Sequence, residues 1–385
     1  MKIETKNIPI EITRKKSNPK FGFKDIKPNF EKIKELEPEN YDNLVVIGNG
    51  GSITSFRALY YAFIDDIEKH VRLVTTMDPD YLSRVADECQ PQNTLVVTIS
   101  KSGETVGVIE SMLYFSERGF DILTITEDQD STLKTITEKR DYQFIPHKDV
   151  GGRFSGLTET ALVPAYLTEA IDIEKVRKGG EQIYQELENE GNPAEKIAKA
   201  LYEAQNQNYE EILHPIYSSR LYGFLPLNIQ LMHETVCKEE EGQTIYGDMG
   251  PEYQHHTNQR LFGGQKNIIT LFLSVENHKK DMQIHIEQDI KDIEIQGRKL
   301  SELEQNSYQD SLDKEREGVK ETLTEKDKPF IEIKLQDTKE KNIGKLIALM
   351  QSTAVYSAEL RDVNPYNQPD VERSKGKSYE KRFQK

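Results

Sequence analysis

The feature that most constrains the fold is a repeated alternation of strands and helices between residues 43 and 146. Residues 44–47 and 94–100 are short apolar runs rich in β-branched residues, which is typical of buried strands in a parallel sheet. The segments that follow these runs predict helices, and Gly119 marks the expected end of one helix. Strands and helices at this spacing indicate a parallel sheet with helices on both faces. We therefore expect a doubly wound α/β domain over residues 41–170.

A second α/β region is expected over residues 171–362. Helical patterns dominate its first part, and further helices are predicted at 225–240 and 342–360. Strand-like runs lie at 211–217, 267–275 and 329–335. Charged and apolar residues alternate in the last of these, which favours a half-buried strand at a sheet edge. The remaining expected segments are an N-terminal arm (1–40), a charged, solvated and partly helical insertion (276–328) and a C-terminal helical element (363–385).

Composition excludes several classes of protein. The 385 residues carry a net charge of −15, so no basic footprint for nucleic acid is present. Two cysteines, Cys89 and Cys237, argue against a disulfide framework and suit a reducing compartment. No signal-peptide core or apolar run of membrane-spanning length is visible. We expect a cytoplasmic protein whose anionic ligands would need a locally positive pocket.

Two loops at strand-to-helix junctions predict a phosphate site. Residues 48–52, Gly-Asn-Gly-Gly-Ser, lack the further glycine of a dinucleotide fingerprint, because Ile53 stands in its place, and no P-loop triplet follows. Residues 100–105, Ser-Lys-Ser-Gly-Glu-Thr, offer three hydroxyls and one ammonium to an anion, although such a turn alone is commonly a helix cap. The pair resembles the sugar isomerase (SIS) domain, which also occurs in regulators that bind phosphosugars without converting them. The resemblance implies the ligands Gly51, Ser52, Ser100, Lys101, Ser102 and Thr105.

The glycine-rich string at residues 149–156, Asp-Val-Gly-Gly-Arg-Phe-Ser-Gly, lets the backbone approach a ligand closely. Its arginine has a planar, permanently charged fork suited to an oxyanion. The string resembles the first signature of the phosphoglucose isomerase family. This resemblance implies that Arg153 is an active-site residue and that Gly152 lies against the substrate.

Three later stretches are similar to other elements of that family. Glu234 keeps the spacing of the family's catalytic glutamate from a lysine, Lys238, although Glu-Thr-Val-Cys-Lys replaces the usual Glu-Ser-Asn-Gly-Lys. His255 matches the family's ring-opening histidine, with Tyr253 in place of a glycine and His256 as a second candidate. An imidazole titrates near cytoplasmic pH and so suits both donation and acceptance of a proton.

The C-terminal string at residues 364–375 resembles the family's Gln-Pro-Gly-Val-Glu element. Gln368 and Lys375 keep the separation of the family's glutamine and lysine, although Asp370 stands where glycine is common. The resemblance implies that both side chains enter the active site, and that this element folds back over the phosphate pocket.

Taken together, the resemblance implies two SIS-type domains, each a three-layer αβα sandwich with a parallel sheet. It implies interconversion of glucose 6-phosphate and fructose 6-phosphate through a cis-enediol, without metal or cofactor. His255 and Lys375 would open the ring, Glu234 would move the proton, and Arg153 would stabilise the enediolate. In the family the histidine reaches the neighbouring subunit's site, which implies a homodimer. Two alternatives remain: an isomerase of mannose 6-phosphate or an amino sugar phosphate, and a non-catalytic phosphosugar-binding regulator.

Overall fold

The computed structural model contains two helix-covered sheets and one short two-stranded sheet. It describes residues 1–8 and 19–384, so residues 9–18 of the expected arm and residue 385 of the expected C-terminal element lie outside it. The strands are β1 (Lys2–Lys6), β2 (Asn43–Ile47), β3 (His70–Val74), β4 (Thr94–Ile99), β5 (Asp121–Thr126), β6 (Gln143–Pro146), β7 (Glu211–Leu213), β8 (Ile216–Tyr217), β9 (Thr244–Tyr246), β10 (Ile268–Val275), β11 (Glu294–Ile295), β12 (Arg298–Lys299) and β13 (Phe330–Leu335). The α-helices are α1 (Phe30–Lys34), α2 (Thr54–Phe63), α3 (Pro79–Glu88), α4 (Val106–Ser116), α5 (Thr132–Arg140), α6 (Glu159–Leu167), α7 (Ile173–Glu186), α8 (Pro193–Asn206), α9 (Phe224–Val236), α10 (Gln254–Gly263), α11 (Tyr308–Glu325), α12 (Glu340–Leu360) and α13 (Pro369–Phe383).

The first sheet has the strand order β3-β2-β4-β5-β6, and all of its strands are parallel. Alternate residues of β2 pack into different cores: Val45 lies with residues of α3 and α4, and Val46 lies in the large core shared with the second sheet. A strand that is apolar on both sides must be covered on both faces. The predicted α/β class with parallel sheets is therefore confirmed.

The second sheet has the order β1-β13-β10-β7-β9, with β8 also paired to β10. Its strands run parallel except for β1, which is antiparallel to β13. The predicted strand at 211–217 is divided into β7 and β8 by Pro215, whose nitrogen has no hydrogen to donate to a ladder. The sheet buries one face against α10 and α11 and the other in the shared core.

Strand β13 differs from its prediction as a half-buried edge strand. The N-terminal strand β1 covers its outer side, and Glu332, expected on the solvent face, is 3% exposed. Helix α11, within the stretch expected to be a solvated insertion, buries Val319 and Leu323 beside Phe330. This packing was not predicted because the stretch is highly charged overall. In the structure, α11 places its apolar residues and two of its cations towards the sheet.

Those two cations surround Glu332. Its carboxylate lies 2.7 Å from Nζ of Lys320 and 3.1 Å from Nε of Arg316, and it accepts a hydrogen bond from Ser274 at 2.5 Å. Lys320 also reaches Glu4 of β1 at 2.8 Å, so the cluster joins the N-terminal strand to α11 and β13. Burial by itself raises the pKa of Glu332, but the hydrogen bonds and the two cations outweigh it and lower the pKa.

Glu332→Gln is expected to lower the free energy of unfolding by about 1–3 kcal/mol, because Arg316 and Lys320 lose the buried carboxylate that they share. Arg316 keeps Asp313 and Lys320 keeps Glu4 as more exposed counter-charges. Urea unfolding at pH 7 measures the change in the free energy of unfolding. Since the folded-state pKa lies below the ordinary value of 4.5, the carboxylate's contribution is present above pH 4.5 and is lost as pH falls through the folded pKa. Glu276→Gln, which breaks an exposed pair with Lys2, is the control and should change stability little. If the two substitutions changed stability equally, Glu332 would not be an important counter-charge for Arg316 and Lys320.

Candidate active site

The two glycine-rich loops predicted to bind substrate touch each other through their backbones. A Cβ atom on Gly51 would lie 2.2 Å from the carbonyl carbon of Gly152 and 2.3 Å from the nitrogen of Arg153. Both loops form short 3₁₀ turns, Gly50–Ser52 and Gly152–Phe154. The contact fixes the first loop, which follows β2, directly against the arginine.

Gly51→Ala is therefore expected to force the loops apart, because side-chain movement cannot relieve a clash with backbone atoms. We expect kcat for the reaction that the family resemblance implies to fall on the order of 10²-fold, because a misplacement of about 1 Å can cost that much. The melting temperature should fall as well. Gly318→Ala is the control, since a Cβ there meets nothing within 4 Å, and it should leave kcat unchanged. A Gly51→Ala protein with normal kcat would show that the close backbone contact between the two loops is not required for catalysis.

The second predicted phosphate loop follows β4, which is the neighbour of β2 in the sheet, so both loops lie at the same carboxyl edge. Ser100 is buried and donates to Oγ1 of Thr105 at 2.9 Å. Oγ of Ser102 accepts a hydrogen bond from the backbone amide of Glu104 at 3.2 Å. The ammonium of Lys101 lies 3.4 Å from Glu127 and 3.6 Å from Asp149. The loop thus offers hydroxyls and a cation beside the turn that contains Ser52.

Arg153 is 4% exposed, and each nitrogen of its guanidinium has an acceptor. Nε donates to Oγ1 of Thr235 at 2.9 Å, and Nη1 donates to Oε1 of Gln368 at 2.8 Å. Nη2 donates to the carbonyls of Pro365 at 2.6 Å and Asn367 at 3.2 Å. Burial lowers the pKa of Arg153, and the nearby Glu234 charge opposes that shift. The fork is held between α9 and the C-terminal segment.

Glu234 lies at the centre of this arrangement. Its Oε2 accepts from Nη1 of Arg153 at 3.4 Å, and its Oε1 accepts from Nε2 of Gln230 at 3.1 Å. Gln230 in turn accepts from Thr54 at the start of α2, at 2.9 Å. The Glu234 side chain remains 30% exposed, so a ligand can reach it. A carboxylate oriented on two sides and open on a third has the geometry of a general base.

Gln230 and Thr235 were not identified from the sequence as site residues. Both lie on α9, four residues before and one residue after Glu234. Helical spacing places position i−4 on the same face as the glutamate, so Gln230 could have been found from periodicity alone. The role of Thr235 depends on Arg153, which is 82 residues away in the chain, and carries no local signal.

The structure does not bring every predicted residue to this cluster. His255 is exposed, and no side-chain hydrogen bond to it occurs within residues 1–8 and 19–384. His256 bonds Thr257 and lies 3.7 Å from Asp248. Lys375 lies on α13 and pairs with Glu372 at 3.0 Å. The roles of His255 and Lys375 therefore remain predictions.

The replacement of the expected glycine by Tyr253 is accommodated in the core. The Tyr253 ring is fully buried, and its hydroxyl lies 3.2 Å from the hydroxyl of Tyr217. Gln254 donates to the same Tyr217 hydroxyl at 2.7 Å. Tyr253 thus anchors the start of α10 and leaves His255 and His256 on its exposed side.

Neither a cluster of metal-ligating side chains nor a membrane-spanning helix occurs among residues 1–8 and 19–384. No group of three or more His, Cys, Asp or Glu side chains among them is arranged to hold a metal ion. None of the helices in this part of the chain is long and apolar enough to cross a membrane.

Comparisons with known proteins add relatives of the whole chain. No protein-family model matches. The glucose-6-phosphate isomerase of Methanocaldococcus jannaschii is 28% identical over 387 residues, which covers 97% of this chain and 92% of that protein. The crystal structure of a glucose-6-phosphate isomerase from Chlamydia trachomatis is similar with a TM-score of 0.75 and 21% identity, over 91% of this chain and 71% of that one. A hypothetical protein from Thermus thermophilus has a TM-score of 0.85 and 22% identity, over 94% and 90% of the two chains.

Proposed function

We propose that this chain, a homologue of the glucose-6-phosphate isomerases, interconverts glucose 6-phosphate and fructose 6-phosphate. The observation that carries the proposal is the position of Glu234, which Arg153 and Gln230 orient beside the loops predicted to bind phosphate. Aldose–ketose isomerisation requires a base at neighbouring carbons and a cation for the oxyanion that develops. Glu234 supplies the base, and Arg153 supplies the cation.

In the proposed reaction the phosphate binds at the carboxyl edge of the first sheet. Its ligands are the turn at Gly51 and Ser52 and the hydroxyl and ammonium groups of Ser100, Lys101, Ser102 and Thr105. Anchoring the phosphate away from the reacting carbons lets its binding energy orient the sugar. Gly152 lines the site, and Gln368 holds Arg153 from the other side at 2.8 Å.

Proton transfer is assigned to Glu234, which takes the proton from C2 of the aldose and returns it to C1. The cis-enediolate formed between these steps is stabilised by the Arg153 guanidinium, and no metal or cofactor takes part. Ring opening is assigned to His255, with His256 as the alternative, and to Lys375. His255 is exposed, which is compatible with a homodimer in which each subunit supplies this histidine to its partner's site. We further propose a cytoplasmic enzyme.

A coupled assay tests the proposal directly. The purified protein is supplied with fructose 6-phosphate in the presence of a chelator, and glucose 6-phosphate is detected through a dehydrogenase. Mannose 6-phosphate and glucosamine 6-phosphate are run in parallel to test the other phosphosugars. We expect turnover of fructose 6-phosphate. Tight binding of the sugar phosphate without turnover would instead identify a phosphosugar-binding regulator.

A further inference from the structure

Lys238 is a buried lysine that the proposed chemistry does not use. It follows α9, is 7% exposed, and donates from Nζ to the carbonyl of Thr235 at 3.0 Å and to the carbonyl of Asn364. Both of these acceptors are neutral backbone carbonyls. Burying an ammonium against neutral carbonyls is costly, so the contribution of Lys238 to the fold or to the site can be tested.

The two carbonyls that Lys238 holds adjoin the groups that hold Arg153. The backbone oxygen of Thr235 accepts a hydrogen bond from Nζ of Lys238, and its side-chain oxygen accepts one from Nε of Arg153. Asn364 immediately precedes Pro365, whose carbonyl accepts Nη2 of Arg153 at 2.6 Å. Both cations therefore bridge the same gap, between the end of α9 and the segment 364–368.

We infer that Lys238 is a positioning residue for the proposed isomerisation. By tying the carbonyl of Asn364 to that of Thr235, it fixes the adjoining acceptors, the Thr235 hydroxyl and the Pro365 carbonyl, which orient the Arg153 guanidinium towards the reacting oxygens. The inference depends on the proposed function, because positioning of Arg153 matters to turnover only if Arg153 meets developing charge.

The surroundings of Lys238 make its charge sensitive to pH. Burial lowers its pKa to about 8, and the charge of Arg153 acts in the same direction. The charges of Glu234, Cys237 and Glu239 act in the opposite direction. Lys238 is thus an ammonium below pH 8 and loses one of its donors and its charge as pH rises through this value. The hydrogen bonds from Nζ of Lys238 to the two carbonyls should therefore weaken as pH rises through the same range.

The test compares three variants of the full chain with the wild type. Lys238→Met removes the charge at similar length, and Lys238→Arg keeps a cation that cannot be deprotonated in this range. Lys328→Met is the matched control, because Lys328 is also buried, also donates to a backbone carbonyl, that of Leu261, and has a lowered pKa caused chiefly by burial. The measurements are kcat and KM for fructose 6-phosphate between pH 6 and 10, together with melting temperatures.

For Lys238→Met we expect kcat to fall on the order of 10²-fold with KM nearly unchanged, because the phosphate loops remain intact. The wild-type kcat should decline above pH 8, Lys238→Arg should recover much of kcat without that decline, and Lys328→Met should match the wild type. Equal kcat values for Lys238→Met and Lys328→Met would overturn the inference, as would a loss in melting temperature that accounts for the lost activity. A wild type without turnover would instead refute the proposed function.

Discussion

Glu234→Gln is expected to reduce kcat for glucose 6-phosphate on the order of 10²–10⁴-fold, since an amide cannot take up the proton that general-base catalysis transfers. The amide keeps the size of the carboxylate and an oxygen for Gln230 to bond. Binding of a non-isomerisable phosphorylated sugar acid should therefore stay close to wild type. Steady-state kinetics and calorimetric titration measure the two quantities separately.

The control for this substitution is Glu321→Gln, which makes the same chemical change at an exposed position on α11. It should leave both kcat and ligand affinity unchanged. If Glu234→Gln lost ligand binding together with activity, Glu234 would be a structural residue and the assignment of the base would be wrong.

Arg153→Lys is expected to have the second-largest effect and to reduce both activity and stability. A lysine keeps the charge but lacks the fork, so it cannot reach Thr235, Gln368 and the carbonyl of Pro365 together. Loss of oxyanion stabilisation costs on the order of 10²–10³-fold in kcat. Leaving two buried acceptors without donors costs about 2–6 kcal/mol of the free energy of unfolding, at 1–3 kcal/mol for each unmade bond.

Arg220→Lys separates the two effects. Arg220 is another buried arginine, and it donates to the carbonyl of Ala62 at 2.7 Å and pairs with Asp65 at 2.8 Å, away from the loops at Gly51 and Gly152. Its replacement should lower stability in urea unfolding but leave kcat unchanged. Normal turnover by an Arg153→Lys protein that is folded would remove Arg153 from the mechanism.

The sequence was sufficient to predict the neighbouring strands β2 and β4 of the first sheet, because each is dominated by apolar, β-branched residues and is followed by a helix. It also predicted that Arg153 and Glu234 belong to one site, although 81 residues separate them. That prediction came from the resemblance of two short strings to the phosphoglucose isomerase family, and the string at Glu234 matches the family only in part.

Other features depend on contacts that no local pattern encodes. Strand β1 lies in a polar, charged arm, and its pairing with β13 is stabilised by an ion pair between Glu4 and Lys320, 316 residues apart. The carbonyls of Pro365 and Asn367 contribute to the Arg153 site through backbone atoms, which any residue supplies. Lys238 was visible only as a spacing from Glu234, whereas its burial and its two carbonyl partners emerge from the packing of α9 against the C-terminal segment.

Proton exchange during turnover tests the central claim most directly. Glucose 6-phosphate is incubated with the wild-type protein in heavy water containing a chelator, and both sugars are followed by NMR. We expect fructose 6-phosphate to form with solvent deuterium entering at the reacting carbons, because an enediolate exposes the transferred proton to solvent. Ligand binding without product and without exchange would contradict an isomerase that uses Glu234 as its base.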